Sequence, residues 1–138
     1  MSKITARRAQ SSFDMLLTFM IGISIIIATL VYVNSAQTES LTSYNINAAQ
    51  NTVNKIAEAA DTIFLQGNHS KIVLTLSFPD GISQATVGSN TVMLKLRIKS
   101  GETDIYQMTK EPVSGSLPTS SGSHRIVVEN MGDYVSIG

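Results

Sequence analysis

The sequence predicts an α+β fold: a long N-terminal α-helix, apolar in its first half and amphipathic in its second, followed by a small antiparallel β-sheet or β-sandwich domain. Three observations lead there. Of the 19 residues from Met15 to Val33, 15 are apolar and none is charged. Gln37 to Gln66 contains no Gly or Pro and repeats its apolar residues at helical spacing. Beyond Asn68 the apolar period falls to two, the mark of strands with one wet face.

Composition narrows the function before any motif is read. The 138 residues carry 10 basic and 10 acidic side chains, two His and no Cys. Disulfides and Cys-ligated metals are excluded, and two isolated His residues give no basis for a zinc site, so no cofactor or metal is expected. A balanced charge offers no basic face for phosphates, so no nucleic-acid partner is expected.

The first nine residues form a cationic segment with Lys3, Arg7 and Arg8. The apolar run from Met15 to Val33 follows, spanning roughly 28 Å as a helix, close to the ~30 Å hydrocarbon core. The positive-inside rule puts the cationic segment in the cytoplasm and everything after Val33 outside. Three processing routes begin this way. A secretory signal cut near Val33-Asn34-Ser35 would need an apolar core of about 7 to 15 residues, shorter than this one. A twin-arginine signal at Arg7-Arg8 lacks the apolar continuation after the pair. The third route cuts before the apolar run and keeps it.

On that third route the stretch Arg7-Arg8-Ala9-Gln10-Ser11-Ser12-Phe13-Asp14-Met15-Leu16-Leu17 resembles the class III signal peptide of archaeal type IV pilins. In that family the mature chain begins Q-x-S-x-E ahead of a long apolar helix. Gln10 and Ser12 match, and Asp14 holds the acidic position with a side chain one methylene shorter. The resemblance implies cleavage between Ala9 and Gln10 by a membrane aspartyl prepilin peptidase that reads Arg7, Arg8 and Ser12. It also implies an assembly ATPase and a polytopic membrane platform protein as partners, and a homo-oligomeric helical filament as product. Archaellins, the neighbouring family, usually have glycine-rich sequence where this chain has Ser12 to Asp14, so adhesion pilin is the preferred reading.

Asp14 admits two roles. Ser11-x-x-Asp14 has the form of a capping box at a helix start. The resemblance implies the other role, in which Asp14 pairs with the new α-amino group at Gln10 of a neighbouring subunit and sets register in the filament. The two are compatible.

Because no breaker intervenes, Phe13 to Gln66 can be one helix, with Asn34 to Ser43 its weakest stretch. Ile46, Ala49, Val53, Ile56, Ala60 and Ile63 recur at spacings of three and four, giving one apolar stripe. Fewer than four heptads and many Ala residues favour packing on the chain's own C-terminal domain over a coiled-coil seam. Gly67-Asn68 is the stop signal. The expected organisation is therefore a leader over 1–9, a membrane or filament-core helix over 10–36, an amphipathic helix over 37–67 and a β domain over 68–138.

In the β domain, Ile72 to Phe78 and Val92 to Ile98 alternate clearly. Shorter candidates lie at Ile82 to Val87, Asp104 to Met108, Arg125 to Glu129 and Tyr134 to Ile137. Pro79-Asp80-Gly81, Gly88-Ser89-Asn90 and Ser100-Gly101-Glu102 are turn signals. Glu111 to Ser123, rich in Pro, Gly and Ser, is expected to be an exposed, mobile loop. Asn68-His69-Ser70 is an N-glycosylation triplet at the helix-to-strand junction, on the external side by this topology.

No arrangement for catalysis is evident. Glu102, Asp104, Glu129 and Asp133 sit in expected turns and strand ends, and only His69 and His124 could activate a serine. The reading is a non-enzymatic filament subunit, a membrane protein as precursor and an extracellular fibre when mature. The alternative is a monomeric membrane-anchored surface module or a minor pilin.

Overall fold

The computed structural model describes residues 2–138 in backbone and 7–138 with side chains. Met1 and the side chain of Lys3, both assigned to the leader, lie outside the described residues. One helix, α1 (Ser2–Leu65), precedes seven strands: β1 (Lys71–Phe78), β2 (Ile82–Gly88), β3 (Thr91–Ile98), β4 (Gly101–Met108), β5 (Val113–Gly115), β6 (Gly122–Asn130) and β7 (Val135–Ile137). This is the expected α+β class, with a single mostly antiparallel sheet in the order β1-β6-β7-β5-β2-β3-β4. The chain divides into two compact units, Met1–Ser40 and Leu41–Gly138.

The helix starts earlier than Phe13, at Ser2. Residues 2–12 contain neither Gly nor Pro, so nothing in them stops helical propagation. Ser11 and Asp14 therefore lie in the helix interior, and no capping box is formed in the uncut chain. The stretch 34–43, expected to be weak, is also helical.

Within Leu41–Gly138 the amphipathic half of α1 closes the domain. Ala49, Val53, Ile56, Ala60 and Ile63 are buried together with Leu76, Phe78, Val92, Leu94, Leu96, Ile105, Ile126, Val128, Val135 and Ile137. The expected packing on the chain's own sheet is what forms, with one face of each strand turned inward. The sheet is curled. Phe78 and Ile82 are joined by three residues, a reach of about 14 Å, whereas β1 and β2 are four places apart in the order, about 19 Å in a flat sheet. The helix sits against both free edges: Thr52 Oγ1 donates to the Ser77 carbonyl of β1, and Asp61 Oδ1 accepts from Lys110 N just after β4. Covering edge strands in this way removes pairing sites for other chains.

Two departures from simple alternation have local causes. In β2, Ile82 pairs with Leu96 and Gln84 with Lys95, leaving Ser83 as a bulge; the extra residue lets Ile82 and Ala85 both turn toward the core. Glu111 to Ser123 is not wholly a loop. Val113–Gly115 pairs parallel to β7 and meets β2 at Val87, and Val113 and Leu117 are buried. Long-range pairing with strands that carry the apolar signal holds this Pro-rich segment in place.

Asn130 ties the two layers of the domain. Its side chain is 2% exposed and donates from Nδ2 toward the carbonyls of Ile63, Phe64 and Gly67 at 3.4, 3.3 and 3.0 Å. Its Oδ1 accepts from Gly132 N at 2.8 Å. The last carbonyls of a helix have no partner within it, so a strand residue supplies the cap. Asn130→Ala is expected to destabilise the domain by about 2–3 kcal/mol. Asn130→Asp should cost at least as much, because it loses the donor and sets a carboxylate against the negative end of the helix dipole. Thermal unfolding followed by circular dichroism checks both.

Candidate processing and assembly segment

Arg7, Arg8, Ala9, Gln10, Ser11, Ser12 and Asp14 are all helical and all exposed. The structure thus gathers the expected recognition and cleavage residues on two consecutive turns of α1. The Ala9–Gln10 bond lies inside the helix and not at its end.

From Phe13 to Val33 the large apolar side chains stand exposed on every side of α1, Met15 at 77% and Tyr32 at 75% being the extremes. The helix is long and apolar enough to cross a membrane by length and composition. Each such side chain gains about 1.5–3 kcal/mol on leaving water, so the run calls for lipid or for other protein around it. Its polar interruptions are internally satisfied. Thr18 Oγ1, Ser24 Oγ and Thr29 Oγ1 donate to the carbonyls four residues back, Asp14, Met20 and Ile25, at 2.8–2.9 Å. A hydroxyl bonded to its own helix presents no unpaired donor to hydrocarbon. The composition shows that these residues are present, but only the helix geometry shows how their hydroxyls are disposed of.

Asp14, Thr18 and Gly22 follow one another at four-residue spacing along one face of α1, flanked by Met15, Phe19, Ile23 and Ile26. Nothing approaches within 4 Å of where a Gly22 Cβ would stand. A helix surface with a notch of this kind admits close backbone approach by another helix. The four-residue spacing of Gly22 from Thr18 and of Thr18 from Asp14 is the signal in the sequence that marks this face.

In the C-terminal unit, Asn68 is exposed in the turn after α1, where Gly67 and His69 adopt positive φ of 100° and 64°. His69 N donates to the Asn130 carbonyl at 3.0 Å, which anchors the turn beside the triplet. Of the weighed carboxylates, Asp104 and Glu102 face Lys95 and Arg97, each at 3.8 Å across β3 and β4. These are surface pairs of small energetic value. His124 Nε2 stands 3.2 Å from Ser120 Oγ and 3.0 Å from the Ser120 carbonyl, and its ring meets Phe78 edge-on. Among the described residues, no group of three or more His, Cys, Asp or Glu is placed to hold a metal ion.

No family model, curated protein or solved structure matches this chain.

Proposed function

We propose that the chain is the structural subunit of an extracellular filament of the archaeal type IV pilus kind, serving surface adhesion. It is made as a membrane precursor, cut between Ala9 and Gln10, and polymerised through the N-terminal half of α1. The observation that carries this reading is the helix that is exposed and apolar on all sides from Phe13 to Val33, followed by an amphipathic half whose apolar stripe is already buried. A helix apolar all round is stable outside lipid only when copies of itself surround it. The motif around Gln10 supplies the processing step. The peptidase, an assembly ATPase and a membrane platform protein are the partners this route requires, and Asn68 is the glycan acceptor on the outer domain.

In this reading Asp14 neutralises the Gln10 ammonium of a neighbouring subunit. Within a dry helix bundle, removal of one partner leaves the other as an unpaired charge, which is strongly unfavourable. Asp14→Asn is expected to be inserted as the parent is, and to lower filament yield per cleaved chain at least tenfold; electron microscopy of sheared surface material, with intact mass for the cleaved fraction, measures this. Normal filament number would remove Asp14 from the assembly role.

The direct test is expression in a host with a class III prepilin peptidase and its assembly machinery. Sheared fractions should contain fibres built of this chain. A chain that remains in the membrane, and leaves it only in detergent as a monomer, would instead support the monomeric anchored module.

A further inference from the structure

We propose that the chain holds a second, latent helix start at Ser11, and that Ser11 positions the Ala9–Gln10 bond for cleavage by capping a shortened α1. This rests on the processing reading above. In the uncut chain α1 begins at Ser2, so the scissile amide lies two turns inside a helix. Regular helical bonding ties Gln10 N–H to the Ala6 carbonyl. Hydrolysis adds water across this bond, leaving a carboxylate on Ala9 and an ammonium on Gln10. The water must reach the Ala9 carbonyl carbon, and that carbonyl must be free to become tetrahedral. Both require the amide to leave the helix first.

Three features place the melted boundary at Ser11. The first is charge. Arg7 and Arg8 occupy the early turns of α1, and its first turn holds no acidic residue, an arrangement opposed by the helix dipole. A start at Ser11 leaves both arginines outside the helix and brings Asp14 into the first turn, where the dipole favours it. The second is capping chemistry. With Ser11 as N-cap, its hydroxyl can accept from the Asp14 N–H while the Asp14 carboxylate accepts from the Ser11 N–H. Both side chains are exposed and unobstructed by the rest of the chain. The third is position. Residues 2–9 are the terminal two turns of α1, where helices fray and where no other part of the chain packs on the exposed side chains of Arg7 to Ala9, while the run from Met15 onward is kept helical by lipid. An N-cap residue has extended backbone, so Gln10 and Ala9 precede it outside the helix.

The test uses the full-length precursor in liposomes with a purified membrane aspartyl prepilin peptidase, following the mass of the product with time. Ser11→Ala should slow cleavage about fivefold, the effect of losing one cap, and Ser11→Asn, an equally good cap, should restore it to within twofold. Amide hydrogen exchange on the uncut precursor gives a second readout: residues 8–10 should exchange faster than Met15 to Val33, and Ser11→Ala should slow them. Cleavage of Ser11→Ala at the parental rate overturns the inference while leaving the processing reading intact. Equal slowing in Ser11→Ala and Ser11→Asn also overturns it, by assigning Ser11 to a peptidase contact. A parent chain that is never cut at Ala9–Gln10 overturns the processing reading and this inference with it.

Discussion

Ile25→Lys is expected to abolish membrane retention and filament formation while leaving the C-terminal domain fully folded. Ile25 stands one residue from the midpoint of Met15 to Val33, is exposed, and has no packing partner in the chain to lose. A lysine at the centre of a spanning helix costs about 3 kcal/mol, and the lost isoleucine adds roughly 0.5 kcal/mol. Together these shift insertion by at least a hundredfold. The same charge inside a bundle of copies would be repeated at every subunit, so assembly is hit harder than insertion. Leu41–Gly138 is a separate compact unit, and its core contains no residue from the apolar run. Carbonate extraction reads retention, and circular dichroism reads the melting of the domain, which should be unchanged.

Gly115→Ala is expected to be the most damaging small substitution in the β domain. Gly115 has φ 149°, and a Cβ built there would collide with the Ile137 carbonyl oxygen. That neighbour is backbone, held in register by the parallel pairing of β5 and β7, so it cannot swing aside. Gly115 is also the residue through which β5 meets β2 at Val87, the junction joining the β1-β6-β7 side of the sheet to β2-β3-β4. Opening it is expected to cost about 3 kcal/mol or more, lowering Tm by roughly 12–24 °C for a domain of this size. Insertion of the apolar helix should be unaffected, which makes this variant the converse of Ile25→Lys.

The features legible in the sequence were those with a repeating signal. Ile46 through Ile63 recur at three and four residues, and all but the partly buried Ile46 lie in the core. The alternation of Ile72 to Phe78 and Val92 to Ile98 marks β1 and β3 to within a residue. Gly67, expected as the stop, ends α1 with positive φ. What escaped was non-local or without period. Three residues of β5 cannot show alternation, and their place depends on partners more than 20 residues away. Asn130 reads as a strand-end polar residue, yet its work is done at the far end of a helix 63 to 67 positions earlier. The helical start at Ser2 escaped because cationic residues suggested a separate leader, whereas helix propagation needs only the absence of a breaker. Of the candidate segment, the sequence supplied the residues and their order. The structure added the placement of the Ala9–Gln10 amide inside α1, the satisfied hydroxyls of Thr18, Ser24 and Thr29, and the notch at Gly22.

As proposed above, the apolar half of α1 is retained in a polymer after removal of a cationic leader. Loss of residues 1–9 removes Lys3, Arg7 and Arg8, which turns a chain of balanced charge into one with seven basic and ten acidic side chains. The most direct measurement is the N-terminal residue, by intact mass and sequencing, of this chain in fibres sheared from the cell surface. The expected N-terminal residue is Gln10. Fibres whose subunits begin at Met1, or soluble protein beginning near Ala36 with no fibres at all, would contradict it.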